Sequence, residues 1–209
     1  MHLKRNSMPR TWPLKRKGTK YVAIPSSGLS KSIPLVVVLR DILDLAKTRR
    51  EAKKLINQKK VKVNLKIVRD ENFPLSLFDI LSLENKNLKL ILENKKFNII
   101  EVKGKETEEK IVKVIGKKVL KGNKIQVNLS DGRNYLTKEK IKTGDSVVLN
   151  FKENKISEIL PFKDNSKVVF IAGKHLGETG TIDKIDKMVI VKIGNEKINS
   201  KSENLMIIK

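Results

Sequence analysis

The chain of 209 residues contains no cysteine, which excludes disulfide bonds, thiolate metal sites and cysteine nucleophiles. Its only two histidines, His2 and His175, lie far apart in the sequence, so a metal site is not expected. No apolar run is long enough to span a membrane. The basic start MHLKRNSMPR lacks the apolar stretch of a signal peptide. We therefore expect a soluble, intracellular protein without a membrane partner.

Catalytic motifs are also missing. The glycine-rich run at 173–180 lacks the Lys-Ser or Lys-Thr ending of a phosphate-binding P-loop. There is no nucleophile-elbow pattern and no evident pair of carboxylates in an apolar pocket. We expect the protein not to be an enzyme, with no cofactor, no metal and no small-molecule substrate.

Acidic residues are scarce relative to basic ones. Lys and Arg number 46 against 23 Asp and Glu, which gives a net charge of +23. Residues 1–100 carry 23 of the basic and only 8 of the acidic side chains. Because such a charge repels itself in isolation, the composition indicates a complex with a polyanion, for which RNA is the natural candidate.

The first 33 residues show neither helical nor strand periodicity and are rich in proline, glycine and serine. The composition is compatible with a disordered tail. Trp12, Tyr21, Val22 and Ile24 argue against a purely solvated one. We therefore predict an extended basic arm that becomes ordered on RNA, where Trp12 stacks on a base.

Two helices and a strand are predicted next. Pro34 precedes an apolar run at 35–47 that is typical of a helix buried in a small core. Thr48 and Glu51 form a capping-box pattern for a second helix at 49–57. Strict alternation at 60–67 predicts a half-buried strand with Lys60, Lys62, Asn64 and Lys66 on its outer face.

The second helix and the strand carry nine basic residues and one acid between positions 49 and 69. Most charge runs are simply solvated surfaces, but one-signed charge with few internal partners favours RNA binding. The candidate RNA-binding residues are Lys4, Arg5, Arg10, Trp12, Lys15, Arg16, Lys17 and Lys20 in the arm, Arg49, Arg50, Lys53 and Lys54 on the helix, Lys59, Lys60, Lys62, Lys66 and Arg69 around the strand, and Lys174 and His175 in the glycine-rich loop.

From about residue 101, short apolar runs alternate with turn signals, a pattern typical of small antiparallel barrels. Asp131-Gly132 indicates a hairpin turn, so Asp131 is not a catalytic candidate. Pro161 and Asp164-Asn165 mark a boundary before the last segment. Its glycine-rich loop is equally compatible with a structural turn and with RNA contact.

Several motifs occur in the order and spacing of a known family. They are HLKR at 2–5, RTW at 10–12, SIPL at 32–35, VLRD at 38–41, REA at 50–52, DILSL at 79–83, SDGRN at 130–134, GD at 144–145 and GKHLGETG at 173–180. Together they resemble the S4e family of archaeal and eukaryotic small-subunit ribosomal proteins. Where that family usually has a glycine after the basic strand, this chain has Asn64-Leu65-Lys66.

The resemblance implies an α+β, multidomain architecture in four parts. These are a basic arm at 1–33, a small αL-type RNA-binding module at 34–100, a central β-barrel-like domain at 101–164 and a KOW-type SH3-like barrel at 165–209. It also implies a structural ribosomal protein in the cytoplasm, monomeric within the ribosome, whose partners are small-subunit rRNA and neighbouring ribosomal proteins.

Two other functions remain open from the residues. An RNA-modifying enzyme is one, because αL-type modules resemble appendages of pseudouridine synthases, but the chain is short for a further catalytic domain. The other is a dissociable, KOW-containing transcription or translation factor, for which less one-signed charge is expected in the arm.

Overall fold

The structure is a computed structural model and describes residues 2–84, 86–122, 124–186 and 188–209. Strands predominate and helices are few in this described part, which confirms the predicted fold class in its coarse form. The helices are α1 (Leu35–Val37), which continues as a π-helical turn (Val38–Ile42), and α2 (Arg49–Asn57). Short 3₁₀ turns occupy Arg5–Ser7, Gly104–Thr107 and Ser202–Asn204.

Most strands are short, as the spacing of the turn signals predicts, and β10 is the longest described strand with 11 residues. They are β1 (Leu3–Lys4), β2 (Tyr21–Val22), β3 (Ser32–Pro34), β4 (Val61–Val63), β5 (Lys66–Ile67), β6 (Pro74–Ser76), β7 (Ile80–Leu83), β8 (Lys86–Glu93), β9 (Lys96–Glu101), β10 (Glu109–Val119), β11 (Ile125–Leu129), β12 (Asn134–Thr137), β13 (Ser146–Asn150), β14 (Lys155–Leu160), β15 (Lys167–Phe170), β16 (Thr179–Ile185), β17 (Val189–Ile193), β18 (Glu196–Ser200) and β19 (Leu205–Ile207).

The chain forms two compact units. Unit 1 comprises Met1–Ile91 and Lys95–Glu108, and unit 2 comprises Leu92–Asn94 and Glu109–Lys209. Unit 1 contains a sheet in the order β5-β4-β7-β8-β9 and the pairs β1-β2 and β3-β6. Unit 2 contains two five-stranded sheets, β12-β11-β10-β13-β14 and β18-β17-β16-β15-β19, whose strand pairs are antiparallel.

The predicted buried helix lies at the centre of unit 1. Residues 35–39 have no exposed surface, which matches a helix that is apolar all round. The helix ends earlier than the predicted residue 47, because Asp44 has a left-handed φ of 51°. Aspartate tolerates that conformation better than most residues. The reversal leaves Thr48 in an extended conformation, ready to cap α2.

The predicted strand at 60–67 is wrong in one respect, since it is a hairpin rather than one strand. β4 pairs with β5 across a two-residue turn, where Asn64 and Leu65 have φ of 50° and 63°. Asn64 is buried instead of facing outward, and its amide Nδ2 donates to Asp79 Oδ1 at 2.7 Å. Its Oδ1 accepts from the Ile80 N–H at 3.0 Å, so the side chain ties the turn to β7.

The prediction of an extended arm that becomes ordered only on RNA is also corrected, because residues 2–33 belong to unit 1 and several of them are buried. Trp12 is 1% exposed, and its indole Nε1 donates to the Ser32 carbonyl at 3.0 Å. Leu3, Met8 and Val22 are buried, and β1 pairs with β2. Of the apolar residues that argued against a solvated tail, Trp12 and Val22 are therefore core residues of unit 1, Ile24 is half-buried and Tyr21 is exposed.

Each sheet of unit 2 has its own hydrophobic core, made largely of valine, leucine and isoleucine. Asp131-Gly132 forms the predicted turn between β11 and β12, with Gly132 at a φ of 85°. Buried Lys113 of β10 joins the two sheets: its Nζ donates to the carbonyls of Ser202, Glu203 and Leu205 at 2.6 to 3.0 Å. The Ile207 N–H donates to Ser146 Oγ at 3.0 Å and adds a second link.

Candidate nucleic-acid interface

Helix α2 is positioned by its own first turn. Thr48 Oγ1 accepts from the Glu51 N–H at 3.2 Å, and Glu51 Oε2 accepts from the Lys47 N–H at 2.8 Å. These bonds satisfy backbone donors at the helix start, as the capping-box pattern predicts. The Lys47 N–H holds the pKa of the Glu51 carboxyl below its usual value. The start of the helix, and hence the direction of its side chains, is thereby set.

The two sides of α2 differ in polarity. Ala52 and Ile56 are fully buried against the core, while Arg50, Lys53 and Lys54 are exposed. None of these three cations forms an ion pair with a residue in the described part of the chain. Their charges therefore face solvent on one side of the helix, as predicted.

Arg49 is already engaged within the protein. Its Nη2 and Nε donate to the two carboxylate oxygens of Glu71 at 2.7 and 3.1 Å. The bidentate pair raises the pKa of Arg49 and lowers the pKa of Glu71, chiefly through these hydrogen bonds. A guanidinium has five N–H donors, so three remain for another acceptor. Arg49 thus contributes less free charge than its neighbours.

A groove beside β4 carries a second group of cations. It is lined by Lys59, Lys60, Lys62 and Lys86 together with Ser82, Leu83, Glu84 and Asn87. Lys60 pairs with Glu84 at 2.9 Å, both side chains being largely exposed. Lys62 points outward between buried Val61 and Val63, and Lys66 is exposed on β5. Such a groove suits phosphate groups, because its lining has four basic side chains and one acidic side chain.

Arg5 organises the loop at 15–20 and uses three of its five donors within the protein. Its guanidinium donates to the Lys15 carbonyl and to the Thr19 carbonyl at 2.8 Å each, and to Thr19 Oγ1 at 2.7 Å. Arg16 is likewise held, since it donates to the Asn6 carbonyl at 2.9 Å. The loop that they shape carries exposed cations. The exposed candidates in the N-terminal segment are Lys4, Arg10, Lys15, Arg16, Lys17 and Lys20.

Three candidates need separate comment. Base stacking by Trp12 is ruled out in this conformation, because its ring is in the core of unit 1. Lys174 is exposed in unit 2, whereas His175 is half-buried and bonds through Nδ1 to Glu178 Oε2 at 2.8 Å. Arg69 is exposed just after β5.

The described residues contain no group of His, Cys, Asp and Glu side chains arranged to hold a metal ion. Within the same ranges, no helix combines the length and apolarity needed to cross a membrane. Unit 1 carries exposed cations in three places, on α2, in the groove beside β4 and in the loop at 15–20.

Comparison with known proteins identifies the family. The Small ribosomal subunit protein eS4 of Methanosphaera stadtmanae is 38% identical over 190 residues, covering 88% of this chain and 79% of that protein. The protein of the same name from Caldivirga maquilingensis is 33% identical, and the match covers 99% of this chain and 94% of that one. The chain belongs to the S4e ribosomal protein family.

Two family descriptions match separate parts of this S4e chain. The S4 domain matches residues 33–81, and Ribosomal family S4e matches residues 84–156. The S4 domain match spans α1, α2 and the β4–β5 hairpin, and so contains the exposed side of α2. The cluster of nine basic residues and one acid between positions 49 and 69 therefore lies within the S4 domain match.

A structural comparison agrees with the family assignment. The 30S ribosomal protein S4e from Thermoplasma acidophilum is 28% identical and superimposes with a TM-score of 0.75, covering 85% of this chain and 95% of that one. The S4e chain thus shares its fold with this relative.

Sequence reasoning missed two features of the unit 1 surface. Lys86 lines the groove beside β4, although it lies outside the basic cluster at 49–69. The sequence places Tyr21 in an arm that becomes ordered on RNA. In the structure, Tyr21 is an exposed aromatic residue beside Lys20 and His2. Only the pairing of β1 with β2 brings His2 and Tyr21 together, so no local sequence signal could have identified the cluster.

Proposed function

We propose that this S4e chain is a structural constituent of the small ribosomal subunit that binds rRNA and supports subunit assembly and translation. Membership of the S4e family supports the ribosomal role, because its relatives carry the name small ribosomal subunit protein. The observation that carries RNA binding is the exposed side of α2, where Arg50, Lys53 and Lys54 form no ion pair with any described residue.

The proposed RNA surface combines three parts of unit 1. On α2, Arg50, Lys53 and Lys54 are the principal contacts, and Arg49 contributes its remaining donors. The groove beside β4 adds its lysines, with Lys66 and Arg69 nearby. The loop at 15–20 adds Lys15, Lys17 and Lys20. We assign the stretch 34–100 to an αL-type module, which the S4 domain match at 33–81 supports.

This surface is suited to RNA backbone and shape. Neither α2 nor the groove beside β4 has aromatic side chains in its lining. Lysine and arginine on their own bond phosphate oxygens and carry little sequence information. We infer that this part of the protein binds the phosphates of a folded RNA helix, because double-stranded RNA is recognised mainly by shape.

For unit 2 we propose a central domain at 101–164 and a KOW-type SH3-like barrel at 165–209. The second assignment is supported by five short antiparallel strands in which the C-terminal strand β19 returns to pair with β15. Lys174 is the proposed RNA contact there. His175 is the weaker candidate, since its Nδ1 is bonded to Glu178.

The proposed role is non-enzymatic and is carried out as a monomer within the cytoplasmic ribosome, beside neighbouring ribosomal proteins. Cofractionation of the tagged chain on sucrose gradients at high salt tests it. Retention on small subunits, with crosslinks from unit 1 to small-subunit rRNA, is expected. Release into the light fractions would instead favour a dissociable transcription or translation factor.

A binding measurement tests the surface itself. The triple substitution Arg50→Gln, Lys53→Gln and Lys54→Gln should lower the slope of log affinity for duplex RNA against log salt by about 2, because each lost phosphate contact removes about 0.7 to 0.9. The matched control replaces Lys121, Lys138 and Lys140, three exposed lysines of unit 2, by glutamine. Equal changes in both variants would mean that only net charge matters and that α2 makes no specific contact.

A further inference from the structure

A cleft in unit 1 combines an exposed aromatic ring with cationic and amide side chains. It is lined by His2, Leu3, Thr19, Tyr21, Val22, Ala23, Ile24, Arg40, Arg49 and Asn72. Acidic side chains are absent from this lining, although Asp41 and Glu71 pair with its two arginines. The cleft differs from the α2 surface because it has aromatic rings as well as charge.

Tyr21 is the exposed aromatic residue of the cleft. It is 47% exposed, whereas its neighbour Val22 is buried, since successive side chains of a strand point to opposite sides. The pairing of β2 with β1 fixes the position of its backbone. An exposed ring on a paired strand offers a stacking surface that needs little further ordering.

Two side chains lie next to the Tyr21 ring. The His2 ring centroid is 5.2 Å from that of Tyr21, with 42° between the planes. Lys20 Nζ lies 5.4 Å from the Tyr21 centroid, within the range of a cation–π contact. Aromatic side chains with an adjacent cation are the means by which proteins hold single-stranded nucleic acid.

The arginines of the cleft are held in place by acids. Arg40 donates through Nε and Nη2 to Asp41 at 3.1 and 2.7 Å, and Arg49 bonds Glu71 in the same bidentate manner. Each pair uses two of five guanidinium donors and leaves three. The guanidinium groups are therefore oriented before any ligand binds, which lowers the entropy cost of binding.

We propose that this cleft binds an unpaired RNA nucleotide, with its base stacked on Tyr21 and His2 and its phosphate bonded by Lys20, Arg40 or Arg49. The proposal rests on the proposed RNA-binding function and deepens it, because it adds recognition of a single-stranded nucleotide to recognition of duplex backbone. A base within a duplex is stacked between its neighbours, so an aromatic side chain can reach only one that is splayed out.

Fluorescence of a base analogue tests the stacking. The probe is a short single-stranded RNA with one central 2-aminopurine, titrated with the full chain, and a blunt RNA duplex of equal length is bound in parallel. Quenching of the 2-aminopurine is expected with the wild-type chain. Tyr21→Leu should remove the quenching and weaken single-strand binding by about 5- to 150-fold, the range for losing one base–aromatic stack. Tyr21→Phe, the matched control, should keep both the quenching and the affinity for single-stranded RNA.

Duplex binding separates this proposal from the function on which it rests. If the Tyr21→Leu variant quenches 2-aminopurine as strongly as the wild-type chain and binds duplex RNA normally, the cleft proposal is overturned and the RNA-binding function stands. Failure of the wild-type chain to bind either RNA overturns the function itself. A wild-type chain that binds duplex without quenching the single strand also overturns the cleft proposal, and a protein segment would then be the better candidate occupant.

Crosslinking gives a measurement that does not depend on the stability of a variant. The wild-type chain is irradiated with single-stranded RNA containing 4-thiouridine, and the crosslinked peptides are identified by mass spectrometry. Crosslinks to the peptide that contains Lys20 and Tyr21 are expected. Crosslinks confined to residues 49–69 would overturn the assignment of the nucleotide to this cleft.

Discussion

Replacing Trp12 by alanine tests whether the N-terminal segment is part of the folded core. Its ring is 1% exposed, and its indole N–H donates to the Ser32 carbonyl. Loss of a buried tryptophan ring costs about 3 to 5 kcal/mol, and the unpaired carbonyl adds about 1 kcal/mol or more. Since a domain is stable by only about 5 to 15 kcal/mol, Trp12→Ala should remove a large part of the stability of unit 1.

Trp12→Phe separates the two contributions. It keeps most of the apolar volume but loses the hydrogen bond to Ser32, so we expect a loss of about 1 to 3 kcal/mol. Leu29→Ala is the control, because Leu29 lies in the same segment and is exposed. Substitutions at exposed sites usually change stability by less than about 0.5 kcal/mol.

The wild-type chain supplies a direct assay, because Trp12 is its only tryptophan. A buried indole should emit at short wavelength and resist quenching by acrylamide, and both properties should be lost when urea unfolds unit 1. The unfolding free energies of the variants are compared by urea unfolding, with circular dichroism as the readout. Emission typical of a water-exposed indole in native buffer would refute the reasoning, as would a Trp12→Ala variant as stable as Leu29→Ala.

Three further perturbations follow from the structure. Lys113→Met should cost about 2 to 5 kcal/mol and reduce hydrogen-exchange protection in β19, because the buried Leu205 carbonyl and the partly buried carbonyls of Ser202 and Glu203 lose their donor. Lys118→Met on the same strand, where the lysine is exposed, should have little effect. Leu65→Gly should raise the free energy of unfolding by about 1 kcal/mol, measured by thermal unfolding, because glycine adopts the φ of 63° without the clash of a side chain. Leu65→Ala, the control, should give no such increase. Glu71→Gln should destabilise the chain at neutral pH, since Arg49 lowers the pKa of Glu71 in the folded state. The stabilisation from the ionised Glu71 is present above its pKa in the unfolded chain and is lost as the pH falls through its pKa in the folded chain. The unfolding free energies of wild type and Glu71→Gln, measured with urea, should therefore become equal in acid. A difference that persisted in acid would contradict the assignment.

Local signals predicted the parts of unit 1 that depend on neighbouring residues. Helix α2 has the predicted bounds, because the capping bonds of Thr48 and Glu51 join residues within one turn. Which side of α2 is buried was also predictable. Burying an unpaired Lys or Arg side chain costs more free energy than burying Ala52 or Ile56 contributes. These features need only the helical period and the cost of desolvation.

The failures concern residues whose partners are distant in sequence. Alternation at 60–67 fits one strand as well as a tight hairpin, and it is the contacts of Asn64 with Asp79 and Ile80 that hold the turn. Trp12 in a Pro- and Gly-rich segment has no periodic apolar neighbours, so its burial could not be inferred. The partner of its indole N–H, Ser32, lies 20 residues further along.

Composition alone determined that the protein lacks thiol chemistry and that its charge favours a polyanionic partner, because net charge and residue content do not depend on how the chain folds. The tertiary structure decided which cations remain available to that partner. Arg49 meets Glu71 across 22 residues of sequence, and Arg5 is committed to the loop at 15–20, while Lys53 and Lys54 face solvent. A hydrogen bond needs its two groups within about 3 Å, and only the path of the folded chain determines which distant groups come that close.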